Sequence, residues 1–294
     1  MVAIYFLTEA LPGDAAVTLA GDTPDPALIA QFRHELGLNR PVLVRLGDWF
    51  SDAVRLDLGT SLVGPRQVSD IVGGALGPTV TLAASTLLLV VPAALLLGVV
   101  AANREGGAVD RVISSVTLGL YSVPEFALGI VVVAVFAVQL GLFPPTAVGT
   151  GNLLESPAVL VLPVLVLLIR PVCSLSRLVS AGMVDALRSG YVQHARRLGI
   201  GGVRLQLAHA LPNAAAPAAQ QLARTTDWLI GGVIVVEAIF VIPGLGTTLV
   251  EAVANRDLPV IQGLALLFGV TTVVVNLGAD IAARLLVPAA ESSR

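Results

Sequence analysis

Lysine is absent: all 17 basic side chains among the 294 residues are arginines. A P-loop sets a lysine on the nucleotide phosphates, so the chain cannot build one, and any ATP hydrolysis it uses belongs to another subunit. Schiff-base chemistry is excluded for the same reason. A single cysteine, Cys173, rules out an intrachain disulfide framework and a cysteine-rich metal centre. His34, His194 and His209 stand far apart and no His-Glu-x-x-His occurs, so no metal site is expected. Charged residues make up 13% of the chain, against about 25% in a soluble domain. A formal net charge of -3 leaves no basic footprint for nucleic acid. Aromatic residues, at 4%, are too few for the girdles of a membrane barrel.

What is plentiful is Ala, Val, Leu and Gly. Hydrophobic residues reach 55% and the mean hydropathy is +0.88, a composition that would aggregate in water. The expected fold is an all-α integral membrane protein whose helices pack through small residues. A bilayer core takes about 20 apolar residues as helix. Spans are expected at 79–102, at 113–140 with a Ser-Val-Pro-Glu interruption at 122–125, from Pro157 to Leu178, at 214–240 and at 260–286. Val2–Leu7 is apolar, but Glu9 and Leu11-Pro-Gly-Asp14 follow at once, so it reads as an interfacial stub or the tail of a further span. Residues 9–77 are polar, with five Arg and nine Asp or Glu.

Arginine in short loops marks the cytoplasmic side. Arg104 and Arg111 place 103–111 there, and Arg177, Arg188, Arg196, Arg197 and Arg204, against Asp185 alone, place 177–211 there too. By alternation 9–77, 141–156 and 241–259 face outside, and the tail at 288–294 is cytoplasmic. The long basic loop has helix-forming composition over 183–198, and Gly199, Gly201 and Gly202 end it. A short helix held there suits docking on a partner; an ordinary connector whose arginines only set topology reads the same composition equally well.

The residues of this loop carry a resemblance. Tyr191, Val192, Ala195, Arg196 and Gly199, then His209, Ala210, Leu211, Asn213 and Ala214, resemble the EAA loop of ATP-binding-cassette (ABC) importer permeases of the dipeptide/oligopeptide branch. Leu11-Pro-Gly-Asp14, Leu36–Pro41 and Asp57-Leu-Gly-Thr-Ser61 are similar to that branch's outer segment. Val236–Gly246 and Arg256–Gly263 are similar to its loop between the last two spans, and Asn276 and Asp280 fit its final span. The resemblance implies a type I ABC importer transmembrane domain, with about five full spans plus the stub here and six spans in the family. It implies an external segment over 1–77 and a transmembrane domain over 78–287, with the coupling loop at about 179–211.

The implied assembly has a second homologous permease, two ABC ATPase subunits that bind ATP and magnesium, and an external substrate-binding protein, in the cell membrane. No cofactor is implied for this chain. Residues 187–203 would form the coupling helix. Ala195 and Gly199, four apart, would give one face with little side chain, and Arg196 and Arg197 would meet acidic groups on the ATPase. Tyr191, His209 and Asn213 belong to the same loop. Pro243, Gly244 and Gly246 are expected to break the helix and form an external scoop, for which a plain turn is the simpler alternative.

Ionisable groups within spans face an interior, a cavity or a partner. Glu125, Arg170, Arg224, Asp227 and Glu237 are of this kind. Arg224 and Asp227, three apart, share a helix face with Gln220 and Gln221 nearby. They would line a substrate pathway together with Glu237, or else pair with each other at a subunit interface. The expected function is half of a translocation pathway for di- or oligopeptides, with nickel chelates or glutathione as alternatives in the same branch. A proton-driven secondary transporter would use the same intramembrane charges as a relay, but no inverted repeat is visible. A structural membrane subunit has no need of the basic loop.

Overall fold

The computed structural model describes residues 5–6, 15–20, 25–35, 37–149, 153, 155–214 and 216–286. Leu11-Pro-Gly-Asp14 and the tail at 288–294 lie outside them. Among the described residues the architecture is helical, with one isolated antiparallel bridge between Thr60 and Gln67. The helices are α1 (Ala15–Ala20), α2 (Pro26–Glu35), α3 (Val42–Val54), α4 (Val68–Asn103), α5 (Ala108–Ser122) and α6 (Glu125–Val132), the last continued by a π-helical stretch at Val133–Gln139. Next come α7 (Pro157–Arg188), α8 (Gly190–Arg197) and α9 (Gly202–Arg204), with a π-helical stretch (Leu205–Ala210) leading into α10 (Leu211–Ala214). The chain closes with α11 (Ala216–Phe240), α12 (Leu245–Ala254) and α13 (Leu258–Leu286).

Three of these, α4, α7 and α13, are long and apolar enough to cross a membrane, and the number rises to five if each of two broken pairs is one span. The first broken pair is α5 with α6. Pro124 disfavours helical backbone at the residue before it, and Val123 is accordingly extended. The interruption expected at 122–125 is therefore a bend of 107° rather than a kink in a straight crossing. The second break falls at Val241–Gly244, between α11 and α12. The first long helix begins at Val68, eleven residues before the expected start of its span, and α7 runs ten residues past Leu178.

Two units divide the chain. One holds residues 1–80 and 241–272, the other 81–240 and 273–294. In the first, Val68, Val72 and Ala75 of α4 pack with Leu245, Ala252, Val260, Ile261 and Leu264. Gly263 permits this: a Cβ there would lie 2.7 Å from Val68 Cγ1. Asp257, 4% exposed, accepts hydrogen bonds from the Ser61 hydroxyl and from Leu62 N–H (3.1 Å). Two segments 195 residues apart in sequence are joined through this carboxylate, and both were singled out by the family resemblance. Thr79 Oγ1 accepts from Leu245 N–H (2.8 Å), satisfying a donor in the first turn of α12.

The core of the second unit is Val90 and Ala94 of α4, Val172, Leu175, Val179 and Met183 of α7, and Val192, Leu205, Ala210 and Ala214 beyond it. Close approach rests on glycine. A Cβ on Gly98 would lie 2.7 Å from the Ser176 carbonyl oxygen and from Val179, and one on Gly182 would lie 2.7 Å from the Ala214 carbonyl oxygen.

Candidate functional site

The basic loop folds as a chain of short, separately closed pieces. α7 ends because Ser189 is extended (φ -67°, ψ 152°). Both the N–H and the hydroxyl of Ser189 donate to the Ala186 carbonyl, and Gln193 Nε2 reaches back to the Arg188 carbonyl (3.0 Å). Two C-terminal carbonyls of α7 thus keep partners where the helix ends. α8 then runs for eight residues, Gly190–Arg197.

Gly199 closes α8. Its φ is +83°, Gly199 N–H donates to the Arg196 carbonyl (3.1 Å) and Ile200 N–H to the Ala195 carbonyl (3.1 Å). These are the two bonds of a Schellman motif, and the left-handed residue between them is the position where glycine carries no Cβ penalty. This corrects the expected coupling helix of 187–203. Residues 187–188 belong to α7, 198–201 are the closing turn, and Gly202 and Val203 start α9. It also corrects the shared Ala195–Gly199 face: Gly199 lies outside the helix, and Ala195 is partly buried against the unit's own apolar core. No atom lies within 4 Å of a Cβ built on Gly199, so the space beside it is open.

Val192 is fully buried in the same core and fixes the orientation of α8. Tyr191, on the exposed side, accepts a hydrogen bond at its hydroxyl from Asn213 Nδ2 (2.9 Å), which also reaches the His209 carbonyl (3.3 Å). The two halves of the loop motif are joined by that contact, and it gives Tyr191, His209 and Asn213 a common local role. Arg196, Arg197 and Arg204 are exposed, as are Leu198, Val203 and Leu207. The surface combines positive charge with apolar side chains. Two further ties hold the loop to the preceding connection: Arg188 Nη2 lies 2.8 Å from both oxygens of Glu105, and Asn103 Nδ2 donates to Gln206 Oε1 (3.1 Å).

The expected scoop is a four-residue turn, Val241–Gly244, followed by a helix. Pro243 lies in the turn and Gly244 caps α12, with its N–H donating to Thr247 Oγ1 (3.0 Å). Gly246 does not break the helix. It is buried in the first turn of α12, where one residue is too few to offset the cap and the packing of Leu245. Val241, with φ +52°, holds a left-handed backbone that is costly for a β-branched residue.

Of the candidate pathway residues, the side chains of Gln221 and Glu237 are among those described. Glu237 is fully buried (0% exposed), so it lines no open space. The side chains of Gln220, Arg224 and Asp227 lie outside the described residues. Gln221 does reach a cavity of about 780 Å³ whose other walls come mainly from α5 and α7, with Ala101 of α4 and Glu105 at one end. Arg177 and Asp185 also line it, although the sequence reading assigned them only a topological role. A signal was present: Ser114, Thr117 and Tyr121, and on α7 Ser174, Arg177, Ala181 and Asp185, recur at spacings of three and four. Glu125 packs against α11 at Gly232, where a Cβ would lie 2.9 Å from its Oε1, and Arg170 sits 5.0 Å above the Tyr121 ring.

A helical membrane domain with broken spans and a closed basic loop between two of its helices is the fold of an ABC importer transmembrane domain. The chain belongs to the family of binding-protein-dependent transport system inner membrane components, whose model matches residues 94–292. It is 33% identical to a probable peptide ABC transporter permease protein of Sinorhizobium fredii, over 97% of this chain and 92% of that protein. A putative peptide transport system permease protein of Brucella abortus is 35% identical over 94% of this chain and 89% of its own length. The glutathione transport system permease protein GsiC of Escherichia coli is 34% identical over 98% and 92%. Among solved structures, the inward-facing MetNI methionine ABC transporter matches with a TM-score of 0.60 at 15% identity, covering 74% of this chain and 97% of that one. An amino acid ABC transporter matches with a TM-score of 0.53 at 18% identity, covering 74% and 94%. These two matches carry the fold alone.

Proposed function

We propose that this ABC importer permease subunit forms half of a translocation pathway for short peptides in the cell membrane. It works with a second permease, an external binding protein and two ATPase subunits that bind ATP and magnesium. The observation that carries the reading is the loop 189–214. A short helix is closed at both ends, fixed through Val192 and tied by Tyr191 to Asn213, while its arginines and three apolar side chains stay exposed. A rigid basic platform of this kind suits a groove with an acidic rim, and the absence of lysine agrees with a motor in trans. The peptide assignment follows the relatives named for peptides; glutathione, itself a tripeptide derivative, is the second reading because GsiC matches almost as well.

In this mechanism ATP-driven closure of the motor pair moves α8 and its flanking turns as one body. α7, continuous from Pro157 to Arg188, carries that displacement into the membrane. The test is purification in mild detergent followed by mass spectrometry and reconstitution with whatever co-purifies. A second permease, P-loop ATPases and a binding protein, with ATP-dependent uptake of tetra-alanine, support the reading. A chain that transports in vesicles without ATP refutes it, and uptake of glutathione but not of tetra-alanine moves the substrate to the second reading.

A further inference from the structure

The groove of about 780 Å³ in the second unit is large enough for a short peptide, and it is open: its two α7 charges, Arg177 and Asp185, are exposed. α5 contributes Ser114, Thr117 and Tyr121. α7 contributes Ser180 and two ionisable side chains, Arg177 and Asp185. Neither Arg177 nor Asp185 makes an ion pair or hydrogen bond among the described residues, whereas Arg188 and Glu105 at the rim bind each other. Among the described residues the rim charge is compensated and the groove charge is not. A second positive centre stands beside Tyr121, where Arg170 lies over the ring. The groove is therefore polarised, with arginine toward the Tyr121 end and the Asp185 carboxylate toward the loop.

We propose that this groove holds the backbone of a linear peptide, with Arg177 receiving the terminal carboxylate and Asp185 the terminal ammonium. The inference rests on the peptide reading above and adds to it the site and the feature recognised. Eight residues separate the two charges on α7, a rise of about 12 Å. An extended chain covers about 3.3–3.6 Å per residue, so a peptide of three or four residues spans that distance. An arginine can grip a carboxylate with two parallel hydrogen bonds, which distinguishes a free C-terminus from an amide. Between the charges the walls present the hydroxyls of Ser114, Thr117 and Ser180 beside the apolar side chains of Ile113, Leu178 and Val184. The charged groups thus read the ends of a peptide, and the apolar stretches between them accommodate its side chains.

The experiment uses the whole transporter in proteoliposomes with saturating binding protein, and three probes: tetra-alanine, its C-terminal amide and its N-acetyl form. Rates are taken relative to the unsubstituted complex, which cancels the binding protein's own preference. Arg177→Gln is expected to lower tetra-alanine uptake about tenfold and to leave the amide unchanged, as loss of a charge-assisted contact would. Arg177→Lys retains most of the preference for the free carboxylate. Asp185→Asn gives the mirror result with the N-acetyl peptide. Equal effects on all three probes, or none, overturn the inference and leave the permease reading intact. Loss of assembly in detergent with unchanged end preference overturns it in favour of a subunit interface. If the unsubstituted complex moves none of the probes, the peptide reading itself falls and the site falls with it.

Discussion

A side chain at position 199 separates two costs that the sequence alone merges, the backbone cost of closing α8 and the steric cost of docking it. Gly199 has φ +83° and open space beside its Cα, so alanine would meet no atom of this chain and would still be strained. The penalty for an L-residue in the left-handed region is about 1–2 kcal/mol. That shifts the closed-to-open ratio of the turn about 5–30-fold. The amides that report it are Gly199 and Ile200, which donate to Arg196 and Ala195. Their hydrogen exchange should accelerate by the same factor in Gly199→Ala, with the rest of α7 unchanged. Gly199→Asn is the second arm. Asparagine tolerates the left-handed region, so exchange should stay close to that of the parent chain, yet a side chain now occupies the open space. If α8 docks there, Gly199→Asn keeps its local order and loses binding-protein-stimulated ATPase activity and uptake. An Asn variant as active as the parent would refute docking through this position. Equal exchange in the Ala variant would refute the strain argument.

Gly98→Ala should be among the most damaging single changes, since a Cβ would meet the Ser176 carbonyl oxygen and Val179 at 2.7 Å. We expect a loss of about 1–3 kcal/mol, read as a lower aggregation temperature in detergent, with Gly74→Ala, in open space, as the control. Tyr191→Phe and Asn213→Ala should each cost about 1 kcal/mol but together little more than one alone. A double-mutant cycle on thermal stability measures the coupling, and strict additivity would sink the assigned hydrogen bond. Asp257→Ala leaves the Ser61 hydroxyl and Leu62 N–H without their acceptor and should destabilise the first unit by about 1–3 kcal/mol. Limited proteolysis in the 55–67 segment would show it, and unchanged cleavage would count against the contact.

The apolar runs made the long helices legible, because twenty uncharged residues leave few alternatives in a membrane. Their ends were less so. α4 starts at Val68 because Val68, Val72 and Ala75 find partners in 245–264, far along the chain. The loop motif named Tyr191, Gly199 and Asn213 as a group, and the structure shows that two of them bond each other and the third is a backbone device. Ala195 misled because a small residue on a short helix reads as a contact face, whether it meets a partner or its own core. The groove stayed hidden because its main walls, α5 and α7, are separated in sequence by a broken span and a loop. Arg177 read as a topology marker, which gave no hint of a groove.

The length of α7 has a further consequence. Its 32 residues rise about 48 Å, some 18 Å more than the hydrocarbon thickness of a bilayer. Even with a moderate tilt, the helix outreaches the hydrocarbon by about the combined depth of the two headgroup layers, which add about 10–15 Å to a bilayer. One continuous helix thus reaches from one polar face to the other, and a displacement of α8 at its end crosses no break in the chain on its way to the opposite face.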